Sequence, residues 1–231
     1  MSSIYTNKEY LQKNPTWHDE DSPWKASQVA RLLARNKLVL ATVAEIGCGA
    51  GGVLASLAEN LPPQTRLHGF DISPQAIEMA QKRQRPGLTY SCEDALTSPD
   101  TFDLFLVIDV IEHVRDYLGF MEKCRPKARY KIFHIPLDIH VSSVVRARFV
   151  VGRRTVGHLH YFSAESALDT VEDTGHRVID YIYTDGGVAL ADLHPSLRRT
   201  LANLPRRLVG LFSQKLSARW FGGYSILILA E

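Results

Sequence analysis

Cysteine is scarce in this chain: Cys48, Cys92 and Cys124 are its only three among 231 residues. Their odd number and wide separation exclude a disulfide framework and suit reduced thiols in a reducing compartment. A surplus of one charge is missing too. The 27 Lys and Arg against 25 Asp and Glu leave a formal net charge of +2, too little by itself to argue for a nucleic-acid partner. No stretch is long and apolar enough to cross a bilayer. The opening Met1-Ser2-Ser3-Ile4-Tyr5 has neither a basic nor an apolar region of the kind a secretory signal needs, so a cytoplasmic location is expected. Internal repeats and low-complexity segments are also absent.

What is present suits one α/β core. Hydrophobic residues make up 45% of the chain, and the 231 residues suffice for one domain with an elaboration. From Val43 to Thr184 apolar runs of strand length alternate with helical patterns, the signature of βαβ units and a largely parallel sheet. Seven strands are expected: Thr42 to Ile46, Arg66 to Asp71, Leu88 to Ser91, Phe102 to Ile108, Tyr130 to Ile135, Val178 to Tyr183 and Tyr224 to Ala230. Ser73-Pro74 supplies an N-cap and a pre-set first turn, and Gly175 can end the helix that Ser163 starts.

Two segments stand outside the alternation. Residues 1–36, with Tyr5, Tyr10, Trp17, Trp24 and the stripe Val29, Leu32, Leu33, are expected to form a helical lid or flank to a main domain over 37–231. Residues 185–223 form a basic insertion with Leu197, Leu201, Leu204, Leu208, Leu211 and Phe212 near helical spacing, which Pro205 should interrupt. Such a basic amphipathic segment can lie on an anionic membrane, grip an acidic substrate or cover the core; covering the core is the first expectation.

The chemistry concentrates after the first strand. Gly47-Cys48-Gly49-Ala50-Gly51-Gly52 lets backbone approach a ligand closely where a helix begins with unpaired amides. Glycines at 47, 49 and 52 fit a dinucleotide fingerprint equally well, so the turn cannot choose its ligand. Glu45 helps to choose. A carboxylate two residues before the first glycine repels a pyrophosphate and welcomes a cation, unless it is merely a solvated strand-end charge. Asp71 closes the second strand about 20 residues past the turn, where a carboxylate accepts from ribose hydroxyls; the competing role is a helix cap, which Ser73 already fills. Ile72 can pack on an adenine face, and Glu93-Asp94-Ala95 follows the third strand. The fourth runs into Asp109-Val110-Ile111-Glu112-His113-Val114 at the edge where open α/β sheets bind ligands.

On these residues the chain resembles the class I S-adenosylmethionine-dependent methyltransferases, within the branch whose fourth strand ends in D-V-x-E-H-V, over roughly Lys37 to Thr184 plus Tyr224 to Ala230. The resemblance implies a Rossmann-like, seven-stranded, mostly parallel sheet with helices on both faces, its last strand antiparallel and inserted beside the fifth. It implies that S-adenosyl-L-methionine binds, leaving S-adenosyl-L-homocysteine as product. Gly47, Cys48 and Gly49 would line the methionine moiety, Asp71 would hold the ribose, Asp94 and Ala95 would contact the adenine, and Asp109 would contribute backbone near the methionyl amine; Glu45, Gly51 and Ile72 complete the candidate cofactor-binding residues.

A small-molecule acceptor methylated at oxygen, nitrogen or carbon is the expected substrate. The alternatives are an RNA 3′-end methyltransferase and a cofactor-binding module without catalysis. A nucleic-acid partner is not the expectation, and peripheral membrane contact would run through the insertion. His113 is the candidate base, with His140, His158 and His160 as candidate acceptor contacts. No metal is expected; the alternative is a divalent ion on Asp109, Glu112 and His113, a set that resembles the site of O-methyltransferases acting on quinone precursors and of RNA 3′-end methyltransferases, with the segment Gly157-His158-Leu159-His160-Tyr161-Phe162 as the source of a further ligand.

Overall fold

The computed structural model describes residues 19–190 and 197–231. Tyr5, Tyr10 and Trp17 of the expected flank lie outside them. All seven expected strands form: β1 (Thr42–Ile46), β2 (Arg66–Asp71), β3 (Leu88–Cys92), β4 (Phe102–Ile108), β5 (Ala128–Pro136), β6 (Val178–Thr184) and β7 (Ser225–Ala230). They make one sheet in the order β3-β2-β1-β4-β5-β7-β6. Strands β1 to β5 pair in parallel, and β7 runs antiparallel to both β5 and β6.

The alternation of side chains along each strand divides the core into two layers. On β4, Leu104, Leu106 and Ile108 join one cluster, with Ile132, Leu227 and Leu229. Phe105 and Val107 join the other, with Phe133, Ile226 and Ile228. Helices α1 (Ser22–Arg35) and α2 (Gly52–Leu57) cover the first layer: Ala26, Val29, Leu32 and Leu33 of α1 recur at helical spacing and are buried with Leu54 and Leu57 of α2. Helices α4 (Tyr117–Cys124) and α7 (Ala164–Asp173) cover the second through Phe120, Met121, Ala167 and Val171. Between β2 and β3, α3 (Pro74–Ala80) starts as expected, the Ser73 side chain accepting from the Ala76 amide. Gly175 sits at φ +79°, the left-handed conformation that lets α7 end.

Two short helices, α5 (Val141–Val145) and α6 (Phe149–Thr155), follow β5. The insertion holds α8 (Gly186–Ala189), α9 (Leu197–Phe212) and α10 (Gln214–Phe221). Two expectations about it need correcting. Helix α9 runs through Pro205 without a break. The ring costs one hydrogen bond to the carbonyl of Leu201, on an exposed part of the helix where water can serve instead. Nor does the leucine stripe cover the core. Helix α9 turns its polar side inward: Asn203 is buried and donates to the Gly187 carbonyl at 3.1 Å, and Arg206 donates to the Phe221 carbonyl at 3.3 Å. Leu201, Leu204, Leu208, Leu211 and Phe212 face outward. Among the described residues no helix is long and apolar enough to cross a membrane.

Candidate functional site

The strand order reverses between β1 and β4, so their carboxyl ends flank a crevice where chains leave in opposite directions. There a cavity of about 370 Å³ opens, walled by the loops after β1 to β5 and by the first turn of α1.

The glycine loop is pinned from below. The Gly47 and Cys48 amides donate to the Phe70 carbonyl at 2.8 and 3.0 Å, and the Gly49 amide donates to Asp71 Oδ2 at 2.9 Å. Gly47 sits at φ +71°, with Val110 where a Cβ would point, so no other residue fits without strain. Asp71 also accepts from the Ser73 amide at 2.8 Å through Oδ1. Burial pushes its carboxyl up, against the pull of these amides. Glu45, Gly47, Cys48, Gly49, Asp71, Ile72, Asp94, Ala95 and Asp109 all line the cavity. Gly51 does not. It packs against the Tyr90 ring, its carbonyl accepts from the Tyr90 hydroxyl at 2.7 Å, and its φ of +80° lets α2 begin.

Glu45 is buried with Oε2 lacking a partner among the described residues. Burial pushes its pKa up to about 8, although the Lys25 ammonium draws it down. Burial also raises the Cys48 thiol, which stays protonated. Asp109 has φ +54° and joins two groups: Lys25 Nζ lies 2.8 Å from Oδ2, and His134 Nδ1 lies 2.6 Å from Oδ1. Burial alone would raise the Asp109 pKa, but Lys25 and His134 override it and hold the carboxyl far below its usual range. Lys25 shows the reciprocal effect: Asp109 outweighs the burial that would discharge it. His134 is braced from behind by Thr184 Oγ1 at 3.0 Å.

The acceptor end is built by the turn after β4 and the segment after α6. Glu112 is 1% exposed, and neither carboxylate oxygen has a hydrogen-bond partner among the described residues. Burial, then the charge of Asp109, push its pKa well up. His113 Nδ1 meets the Gly157 carbonyl at 3.2 Å, and burial, with His158 adding to it, lowers its pKa to about 4. His158 Nδ1 is 2.6 Å from Asp138 Oδ2, and the His113 and His158 rings sit 5.1 Å apart. One side-chain donor from each of Glu112, His113 and His158 falls within 4.8 Å of the others.

The structure brings two of the four candidate histidines to the cavity, His113 and His158. His140 instead caps α5, its Nδ1 accepting from the Ser143 amide at 3.2 Å. His160 is tied through Nε2 to the Val114 carbonyl at 2.9 Å and packs on Tyr117. The alternative metal set also changes. Asp109 is committed to Lys25 and His134, and His158 takes its place beside Glu112 and His113. Trp24 of the expected flank lines the cavity, whereas Lys25, His134 and Asp138 were not singled out from sequence. Arg83 bonds Asp19 at 2.6 Å and the Ala50 carbonyl at 2.9 Å, which clamps the turn before α1 onto the glycine loop.

Fold and cavity together define a class I, Rossmann-like methyltransferase architecture. A family described as methyltransferase domain matches residues 44–129. Among sequence relatives, a ubiquinone biosynthesis O-methyltransferase of Parvibaculum lavamentivorans is 31% identical over 124 residues, covering 47% of this chain and 46% of that protein. A norajmaline N-methyltransferase of Rauvolfia serpentina is 36% identical over 87 residues, 34% of this chain and 29% of that one. The chain thus spans less than half the length of either. Among solved structures, magnesium protoporphyrin IX methyltransferase from Synechocystis with bound S-adenosylhomocysteine superposes with a TM-score of 0.58 at 16% identity, over 90% of this chain and 81% of that one.

Proposed function

We propose that the protein is an S-adenosylmethionine-dependent methyltransferase acting on a small molecule at oxygen, nitrogen or carbon. The observation that carries this reading is the charge pattern of the cavity. Two buried carboxylates, Glu45 and Asp71, and the partly buried Asp109 face one ammonium, Lys25, with no arginine among the described lining residues to meet a pyrophosphate. An amino-acid head needs one anion and one cation side by side, and the Asp109 and Lys25 pair offers both at 2.8 Å. In this assignment Lys25 holds the carboxylate of the methionine moiety, and Glu45 and Asp109 hold its ammonium. Asp71 accepts from the ribose hydroxyls. Ile72, Asp94 and Ala95 form the adenine slot.

Bound S-adenosylmethionine supplies an activated methyl group on a sulfonium. The chain's own contribution is then alignment, exclusion of water and handling of one proton. The turn into α1, clamped by Arg83, contributes Asp19, Asp21 and Ser22 to the cavity wall, the role we assign to the described part of the flank. His158 is the better base than His113: Asp138 holds its Nδ1 hydrogen and leaves Nε2 to accept a proton, whereas an imidazole near 4 accepts one poorly. A second reading places a divalent ion on Glu112, His113 and His158, favoured by the unpartnered Glu112 carboxylate and a donor set of oxygen and imidazole.

The names of the relatives, an O- and an N-methyltransferase of small molecules, support a small acceptor over RNA. A cytoplasmic setting belongs to this reading and is supported by three free thiols. Turnover on a panel of phenolic, amine and carbon acceptors, followed as S-adenosylhomocysteine release, tests it. Release that depends on an acceptor is expected; binding without release on any acceptor would leave a cofactor-binding module. Chelation sharpens the second reading: activity that survives EDTA discards the ion, and loss with rescue by magnesium or manganese adopts it.

A further inference from the structure

Beyond the cavity, the helices after β5 and β6 combine exposed arginines with a lack of carboxylates in their own sequence. Residues 139–164 and 193–230 contain no Asp or Glu, yet hold ten of the chain's 27 Lys and Arg. The first segment carries Arg146, Arg148, Arg153 and Arg154, all exposed and none in an ion pair among the described residues. The second carries Arg198, Arg199, Arg206, Arg207, Lys215 and Arg219, of which Lys215 and Arg219 share Glu165 at the surface.

Among these cations large apolar side chains stand in solvent. Phe212 is 91% exposed and Leu211 82%, and Leu204, Leu208, Leu216 and Trp220 are each about half exposed. On α5 and α6, Val145 is 78% exposed, with Val144, Val150 and Val151 beside it. The two groups belong to one side of the molecule, because α10 packs against both α9 and α5. Single exposed aliphatics need no explanation, but a run of them on packed neighbouring helices does. Helix α9 makes the point most strongly, since it buries Asn203, half-buries Arg206 and leaves Leu201, Leu204, Leu208 and Leu211 outside. An ordinary surface helix does the reverse.

We infer that α5, α6, α9 and α10 form a docking surface for an anionic lipid membrane, which the helices enter as in-plane amphipathic elements without spanning it. The charge pattern selects this occupant. An apolar face bounded by Arg and Lys, with Glu165 its one paired carboxylate at the α10 edge, matches the boundary between acyl chains and acidic headgroups. RNA would be served by the arginines but not by Leu211, Phe212 or Val145. A second copy of the chain would set arginine against arginine. The surface also reaches the cavity: Val156 after α6, and Gly186 and Leu190 at α8, line it, so an acceptor dissolved in the bilayer would have a short path to the acceptor end. The docking claim itself does not depend on the methyltransferase reading.

Co-sedimentation of the full chain with phosphatidylcholine vesicles, with and without phosphatidylglycerol, tests the inference. Binding to the anionic vesicles and little to the neutral ones is expected. Each basic side chain near an anionic surface is worth about a fivefold gain in partitioning, so Arg153→Gln with Arg154→Gln should lower binding by more than about tenfold. Leu211→Ser with Phe212→Ser should lower it by a similar factor at unchanged anionic content, since these side chains would leave the acyl boundary. Both pairs are exposed, so unchanged circular dichroism and melting are expected of either variant. Equal binding to neutral and anionic vesicles overturns the inference, as does binding that survives loss of Leu211 and Phe212. So does failure to bind vesicles, whether the chain then associates with itself through Phe212, binds RNA, or does neither.

Discussion

The cavity and the outer face of α9 violate ordinary burial preferences in opposite directions. In the cavity, Glu45 and Glu112 are buried with carboxylate oxygens that find no partner among the described residues. On α9, Leu211 and Phe212 stand in water. Each arrangement is costly in the isolated chain, since an unpaired buried polar group loses hydration and an exposed apolar face orders water. Elsewhere leucine, valine, isoleucine and phenylalanine fill both layers of the sheet. The contrast teaches that side chains set against their solvation preference mark where a ligand or surface completes the structure, and that the sign of the mismatch states its chemistry: polar and cationic in the cavity, apolar and anionic outside.

Substitutions can break this comparison. The largest effect should come from His158→Ala, which removes the proton acceptor at the cavity's inner end and should lower kcat by at least about a hundredfold, with cofactor affinity unchanged. Steady-state rates beside calorimetry check it; a matched loss of both would make His158 a structural residue. Asp71→Ala should come next, weakening S-adenosylhomocysteine binding by about ten- to a hundredfold, or about 1.5–3 kcal/mol, for lost charged hydrogen bonds. Unchanged affinity would remove Asp71 from the site.

Glu45 gives a smaller effect with a definite sign. Its folded pKa of about 8 lies above the ordinary 4.5, so folding favours the protonated form. That contribution is fully present below pH 4.5 and is lost as pH rises through about 8. Glu45→Gln should therefore gain stability over the parent across this window, seen as a difference in melting temperature that grows with pH and then levels. A constant difference would show that Glu45 is ionised throughout. Smallest of all, Leu211→Ser should move the unfolding free energy by no more than about 0.5 kcal/mol, because its side chain is already hydrated. A loss of several kcal/mol would place Leu211 in a core and dissolve the comparison.

Much of the fold was legible in the sequence because βαβ alternation and strand-length apolar runs are local signals: β1, β2 and β4 have the bounds that their residues suggested, and β5 differs only by extending at both ends. Most of the cavity wall was legible for the same reason, since Glu45, Asp71, Asp94 and Asp109 each close a strand or follow one. What could not be read depends on contacts across the fold. Lys25 reaches Asp109 from a helix 84 positions earlier, and Asp138 finds His158 across two helices. Histidine type alone could not separate His158 from His140 and His160, which look alike in sequence and serve as a helix cap and a loop tie. The spacing of α9 showed an amphipathic helix, but spacing does not say which face turns inward.

Titration calorimetry of S-adenosylhomocysteine and of NAD against the same protein tests the central claim most directly, that the crevice between β1 and β4 receives a nucleoside carrying an ammonium and no phosphate. The account predicts saturable binding of S-adenosylhomocysteine, weakened by Lys25→Met and by Asp71→Ala, and no heat from NAD. Binding of NAD with none of S-adenosylhomocysteine would contradict it.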